Sequence, residues 1–365
     1  MNGSTVAMHM SDGIVDAPTS LIFAGIAAVG LGFAGWRARA ELDERAAPMA
    51  GLVAAFIFAV QMVNFPILPG VSGHLLGGAL AAILVGPYLG ALCVAIVLVV
   101  QALLFADGGL TALGTNITNM ALIGVGAGYF VARAGIVLLR RRSDTGMGVV
   151  AFVAALIGTL CAALGFVVEY AIGGAAGSTV GAVAGYMFVT HTLIGIGEGI
   201  ITAITVVAVV NARPDLVYVL RAAESVSAAA SPARARVSFT GFLWAFAAAA
   251  VLVAGVLSYA ASSQPDGLDA TTQRGCTMVE VNGTEELHGE CIAQSAEEHR
   301  FAGSPLADYA IGGNSDLAGL AGIVGVAAAF AVLFAVVRTI RIGRSATRPA
   351  ARAGEVAARS DAEPE

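Results

Sequence analysis

The residues of this sequence best suited to bind a transition metal are its five histidines, His9, His74, His191, His288 and His299. Imidazole is a common ligand of nickel, cobalt, copper and zinc. A lone histidine is more often structural, so each one has to be weighed by its surroundings. His74 lies at the outer mouth of a short apolar span and is flanked by glycines that allow close backbone approach. A histidine at membrane depth is a functional candidate by default.

His9 directly follows Met8, and this pair could form a chelate. If the chain begins at Met8, the α-amine, the amide nitrogen of His9 and its imidazole Nδ1 close fused rings around one metal ion. His74 would supply a fourth nitrogen. Four nitrogens in a plane suit Ni(II) or Cu(II) and could accept Co(II). The preceding seven residues, MNGSTVA, would take the amine away from this site, so we expect the functional chain to start at Met8.

Four other polar residues in apolar segments could support metal ligands. Asn116 and Asn119 lie three residues apart, and His191 and Glu198 lie seven apart, each pair on one helical face. They could orient the ligands from a second layer. Hydrogen bonds between helices inside a bundle explain them equally well.

Cys276 and Cys291 lie in an acidic polar stretch, which also contains His288 and His299. Outside the membrane a disulfide is favoured, while metal capture by the cysteines with His288 is the alternative. We expect both of these histidines to be solvated.

The composition predicts the elements that must position these residues. Of the 365 residues, 58% are hydrophobic and 12% are charged, and apolar runs near the length of a membrane span recur. We therefore predict an all-α polytopic membrane protein with about seven spans followed by a two-span module. The predicted segments are 18–36, 50–64, 74–87, 88–106, 116–138, 148–171, 181–210, 239–261 and 317–337.

All 19 basic residues are arginine. A phosphate-binding P-loop requires a lysine, so this chain does not bind ATP through such a site, and ATP dependence requires a partner. The arginine clusters follow alternate segments, which places the N-terminus outside and the C-terminus in the cytoplasm. The predicted domains are a membrane domain (8–211), a cytoplasmic linker (212–238), a two-span domain (239–337) and a disordered tail (338–365).

Four motifs together carry a resemblance: MHMSDG, SGHLLGGALAAILVGPYLGAL, VQALLFADGGLTALGTNITNM and HTLIGIGEGIIT. Residues 8–221 resemble the CbiM/NikM family, the substrate-binding (S) components of nickel and cobalt energy-coupling-factor (ECF) transporters. The resemblance implies that Met8, His9 and His74 bind the metal. Residues 239–337 resemble the PDGLE domain of the CbiN/NikN companion subunits. The motif here is Pro265, Asp266, Gly267, Leu268 and Asp269, so the final glutamate is replaced by aspartate.

The resemblance implies a component of an importer in the cell membrane, with Ni(II) or Co(II) as substrate. Its implied partners are a CbiQ/NikQ-like transmembrane coupling protein and CbiO/NikO-like ATPases, with no nucleic acid. Two alternatives stay open: an intramembrane metalloenzyme that uses His191 and Glu198, and a membrane scaffold that transports nothing.

Overall fold

The computed structural model describes residues 8–42, 45–139, 143–224, 236–281 and 284–360. Two antiparallel hairpins pair β1 (Phe65–Leu68) with β2 (Val71–Gly73) and β3 (Cys276–Val281) with β4 (Thr284–Gly289). A π-helical segment, Ile117–Gly124, joins α5 to α6. The helices are α1 (Ala17–Glu41), α2 (Ala46–Gln61), α3 (Gly78–Val85), α4 (Pro87–Leu104), α5 (Leu113–Asn116), α6 (Val125–Leu138), α7 (Asp144–Gly173), α8 (Val180–Ala212), α9 (Tyr218–Glu224), α10 (Phe239–Gly255), α11 (Gly267–Thr272) and α12 (Ala318–Ser360). The prediction of an all-α membrane protein is confirmed.

The long helices begin at residues that the sequence marks as caps. Asp16 accepts a hydrogen bond from the Thr19 backbone at the start of α1. Thr179 does the same for α8, and Ser238 for α10. These side chains satisfy backbone N–H groups that a helix leaves unpaired in its first turn.

Seven of the nine predicted spans are confirmed as helices long and apolar enough to cross a membrane within the described residues. The other two differ. Segment 50–64 forms α2, a shorter apolar helix of 16 residues. Segment 74–87 contains an eight-residue helix, α3, which spans only about 12 Å.

Segment 74–87 combines a non-helical stretch with this short helix. Residues 74–77 are non-helical, α3 follows them, and Gly86 just after α3 packs against Tyr218. Non-helical backbone at membrane depth is tolerated where protein surrounds it. Leu76 and Gly77 donate their backbone N–H groups to the carboxylate of Glu198, both at 3.0 Å.

Helix α2 joins the two predicted modules because it is apolar on all sides and almost entirely buried. Helices α10 and α12 of the C-terminal module pack against it. Phe56 on α2 and Phe246 on α10 bring their ring centroids to 5.0 Å. The C-terminal module is therefore seated on the bundle.

Two polar segments contain more regular structure than predicted. The predicted linker 212–238 begins with a 3-10 turn (Pro214–Leu216) and α9. Val217, Val219 and Leu220 are buried there, while residues 225–235 lie outside the described part. The predicted disordered tail 338–365 differs from the structure, where the backbone of α12 continues to Ser360. Alanine and arginine favour helix, and residues 361–365 lie outside the described part.

Candidate metal centre

His9 and His74 meet at one end of the bundle, with ring centroids 5.3 Å apart. Both are buried, with 2% and 5% of their surface exposed. They line a small cavity of about 50 Å³. The residues around it are Met8, His9, Met10, His74, Leu76, Asn116, Asn119, Met120, Ala162, Ala163, Phe166, Met187, His191, Asp266 and Leu268.

The amino-terminal segment is fastened over this cavity by buried polar contacts. The Asp12 carboxylate accepts hydrogen bonds from three consecutive backbone N–H groups, at residues 110–112. The side-chain amide of Asn116 bonds both the N–H and the carbonyl of Met10. Asn116 thus fixes the backbone one residue beyond His9.

Close packing around His9 depends on glycine. Gly108 has φ +84°, and a Cβ atom there would lie 2.8 Å from the Cβ of His9. Its missing side chain both permits the left-handed backbone and leaves room for the histidine.

Asp107 is the buried residue that holds the amino-terminal donors. Its Oδ1 accepts from the Met8 backbone nitrogen at 2.9 Å and lies 3.1 Å from His9 Nδ1. Burial raises the pKa of Asp107, but its electrostatic interaction and hydrogen bond with His9, together with the hydrogen bond from the Tyr309 hydroxyl, outweigh burial and lower the pKa overall. His9 Nε2 has no hydrogen-bond partner among the described residues.

The His74 ring contacts oxygen acceptors through both nitrogens. Nδ1 lies 2.9 Å from the Leu75 carbonyl, and Nε2 lies 2.9 Å from the Met8 carbonyl and 3.1 Å from Asp266 Oδ2. Burial lowers the pKa of His74, but the hydrogen bond and charge of Asp266 more than compensate and raise it to about 9.

The PDGLD motif reaches this cavity from the C-terminal module. Asp266 caps α11 through Oδ1, which accepts from the backbones of Leu268 and Asp269, and this leaves Oδ2 for His74. The carbonyl of Pro265 accepts the Ser72 N–H on strand β2 at 2.8 Å.

The remaining residues of the PDGLD motif, Gly267, Leu268 and Asp269, form the start of α11. Gly267 packs closely against Thr190 and Ile194 on α8. Leu268 lines the cavity, and Asp269 lies in the first turn of α11. Burial and the charges of Asp266 and Asp107 raise the pKa of Asp269 well above its usual value.

The other predicted residues separate into two groups. His191 and Asn119 line the cavity, and His191 Nδ1 lies 3.0 Å from the Met187 carbonyl. Asn119 donates to Glu169 on α7 at 2.7 Å. Glu198 lies outside the cavity wall, where it bonds Leu76, Gly77 and Thr159. Of the pair that the metalloenzyme alternative uses, His191 lines the cavity and Glu198 does not.

Cys276 and Cys291 form a disulfide with Cα atoms 5.5 Å apart, which closes the β3–β4 hairpin. His288 is exposed on β4, whereas His299 is half-buried with Nε2 inaccessible, which differs from the expectation of a solvated ring.

Sequence reasoning missed Asp107 and Tyr309 as residues of the site. The Tyr309 hydroxyl lies 2.6 Å from Asp107 Oδ2. An aspartate at the end of an apolar segment was a visible signal for Asp107, but no local pattern marks Tyr309, which comes from 202 residues further along the chain.

Side chains alone do not complete a metal site here. Within the described ranges, no group of three or more His, Cys, Asp or Glu side chains could hold a metal ion. The cavity offers the imidazoles of His9, His74 and His191, the carboxylate of Asp266 and nearby backbone nitrogens. The fold and the cavity define a polytopic membrane protein with a small, histidine-lined cavity at one end of its bundle.

Comparison with known proteins identifies the family. Residues 9–216 match CbiM, described as the cobalt uptake substrate-specific transmembrane region, and residues 240–342 match the PDGLE domain. The chain belongs to the CbiM family and carries a C-terminal PDGLE domain, as the motifs predicted.

Two relatives compared by sequence agree with this assignment. The chain is 35% identical to a putative fused nickel transport protein NikMN of Archaeoglobus fulgidus, over 92% of this chain and 99% of that protein. It is 32% identical to the cobalt transport protein CbiM of Geobacter sulfurreducens, over 74% and 77%. A solved transition metal transporter in truncated form has a TM-score of 0.49 and 26% identity, over 56% of this chain and 98% of that one.

Proposed function

We propose that this protein is the substrate-capture component of a transporter that imports Ni(II) or Co(II). The observation that carries the proposal is the convergence of His9, His74 and the Met8 backbone in one buried cavity. Relatives described as nickel and cobalt transport proteins support this choice of substrate.

The proposed ligands are the amine of Met8, the amide nitrogen and Nδ1 of His9, and Nε2 of His74, in a chain whose amino terminus is Met8. Two contacts support this set. The Met8 nitrogen and His9 Nδ1 already share one oxygen of Asp107. His74 Nδ1 faces the Leu75 carbonyl, which leaves Nε2 for a metal. Four nitrogen donors in a plane suit Ni(II) and accept Co(II).

The proposed orientation has the cavity at the outer face and the arginines in the cytoplasm. The cavity residues Met8, His9 and Met10 precede helix α1, whose Arg37 and Arg39 lie about 30 Å from its start along the helix axis. Helix α8 likewise ends at Arg213. Arginine at one end of several spans supports this direction.

Energy for import comes, in this proposal, from separate subunits of an ECF-type complex. The chain contains no lysine for a P-loop. A transmembrane coupling protein and ATPase subunits would reorient or open the bundle, and the metal would leave inward.

The PDGLE domain is proposed to help load or release the metal. Asp266 Oδ2 contacts His74 Nε2, the atom that would bind the metal. The carboxylate and the metal therefore compete for one nitrogen, which gives this domain a direct effect on occupancy.

The test is intact mass of the purified chain, followed by calorimetric titration with Ni(II) and Co(II). The comparison includes His74→Ala and, as a matched control, His288→Ala, which alters an exposed histidine outside the cavity. We expect a mass that begins at Met8, tight binding in the wild type and the control, and loss in His74→Ala. Binding by a chain that begins at Met1 would exclude the amine as a ligand. Absence of binding in all forms would favour the scaffold alternative.

A further inference from the structure

The two carboxylate oxygens of Asp107 contact different modules of the protein. Oδ1 faces the Met8 nitrogen and His9 Nδ1 of the amino-terminal segment. Oδ2 accepts the hydroxyl of Tyr309, which belongs to the C-terminal module, at 2.6 Å. A hydrogen bond of this length to a carboxylate is short and charge-assisted. One buried carboxylate thus joins the proposed metal donors to the PDGLE domain.

The Tyr309 hydroxyl donates its proton in a hydrogen bond to Asp107. Gln101 on α4 donates its side-chain N–H to the same hydroxyl oxygen at 3.2 Å. A hydroxyl carries a single proton. Since its oxygen already accepts from Gln101, that proton is directed to the carboxylate. The contact therefore has a defined direction.

The tyrosine ring is held independently of its hydroxyl. It stacks on Phe105 with centroids 4.8 Å apart and contacts Phe58 with centroids 6.2 Å apart. The neighbouring backbone is tied as well, because the Asp308 N–H donates to the Phe105 carbonyl at 2.9 Å. Replacing the hydroxyl with hydrogen would leave these contacts in place.

The backbone is strained at the residues around the Asp107–Tyr309 hydrogen bond. In the described residues, the non-glycine positions with positive φ are Ala106, Asp308 and Tyr309, each at φ 55°. The left-handed region is unfavourable for residues with a Cβ, and such conformations persist where surrounding contacts enforce them. All three residues adjoin or form the Asp107–Tyr309 contact, which indicates that the fold maintains it at a cost.

We propose that Tyr309 is a positioning residue for the amino-terminal metal donors and acts through Asp107. The inference rests on the proposed function. A coordinated amine keeps N–H groups, so Met8 would continue to donate to Asp107 when a metal is bound. Carboxylates that orient metal-ligating groups in this way strengthen binding. The C-terminal module thereby contributes to metal affinity through a residue that does not touch the metal.

The experiment compares Tyr309→Phe with Tyr259→Phe in the full chain. Tyr259 is a matched control because it lies in the same module and donates its hydroxyl to the Asp316 carbonyl, remote from the cavity residues. Asp107→Asn and the double variant with Tyr309→Phe complete a cycle. The readouts are Ni(II) and Co(II) affinity by calorimetry, and hydrogen–deuterium exchange of residues 8–16 without metal.

We expect Tyr309→Phe to lower metal affinity about tenfold, the lower end for loss of an orienting contact, and to speed exchange in residues 8–16. The double variant should bind no more weakly than Asp107→Asn, because the tyrosine acts through that carboxylate. Tyr259→Phe should match the wild type. Additive losses, or equal behaviour of the two tyrosine variants, would overturn the inference.

Hydrogen exchange separates this inference from the proposed function. If the wild-type chain bound neither metal, the proposed function would fail. Faster exchange of residues 8–16 in Tyr309→Phe would then still support positioning of the segment, and unchanged exchange would refute it.

Discussion

Glu198 is predicted to be essential for folding because its carboxylate pairs the backbone N–H groups of the non-helical chain just before α3. Its buried carboxylate accepts hydrogen bonds from the Leu76 and Gly77 backbones, both at 3.0 Å, and from the Thr159 hydroxyl at 2.7 Å. Glu198→Leu would leave three buried donors without an acceptor. Each such donor costs about 1–3 kcal/mol, so the free energy of unfolding should fall by roughly 3–9 kcal/mol.

A loss of this size is comparable to the whole stability of many domains. We expect Glu198→Leu not to accumulate as folded protein. Glu198→Gln retains one acceptor oxygen but turns an amide N–H toward another donor, so it should lose about 2–4 kcal/mol and remain measurable. Because Leu76 lies two residues beyond His74, displacement of this loop should also weaken Ni(II) binding by about tenfold or more.

The assay is the thermal unfolding midpoint in detergent together with calorimetric Ni(II) titration. Thr202→Val is the matched control, since Thr202 is equally buried on α8 and its hydroxyl has no hydrogen-bond partner in the described part of the chain. It should retain wild-type stability and affinity. If Glu198→Leu unfolded at the same temperature as Thr202→Val and bound Ni(II) as tightly, the capping argument would be refuted.

Three further predictions concern the cavity and the loop between α10 and α12. Asp266→Asn should tighten Ni(II) binding several-fold, as measured by calorimetry. Asparagine still caps α11, but it no longer places a carboxylate against His74 Nε2. Weaker binding would instead indicate that Asp266 is a metal ligand. Gly108→Ala should displace His9 and weaken Ni(II) binding, while Gly303→Ala, with open space around it, should titrate like the wild type. Cys276→Ser should lower the unfolding midpoint of the C-terminal module, since a loop of this size contributes about 3 kcal/mol; an unchanged midpoint would show that the disulfide has no stabilising role.

Most of the architecture was predictable from local pattern. Apolar runs of span length identify the helices because hydrocarbon requires about 20 such residues. The exceptions have a tertiary cause. Segment 74–87 is apolar enough to suggest a span, but its glycines and the hydrogen bonds to Glu198 allow a non-helical chain to enter the bundle.

The candidate site was predictable in part. His9 and His74 were recognised from their residue type and neighbours, and the fold brings them to one cavity. The assignment of Asn116, Asn119 and His191 as supporting residues stays a prediction, although each of them lines that cavity. The role of Asp107 could not be read from its neighbours, since its partners Met8 and Tyr309 lie far away in the sequence.

The amino-acid sequence by itself determined the membrane class, the arginine asymmetry and the metal-binding residue types, because these depend on composition and local order. Tertiary structure decided which polar groups share a buried space. Asp266 reaches His74, and Tyr309 reaches Asp107, because α10 and α12 pack on α2 and bring the loop between them to the histidines. Contacts between distant segments arise when packing brings buried polar groups together and requires each to find a partner.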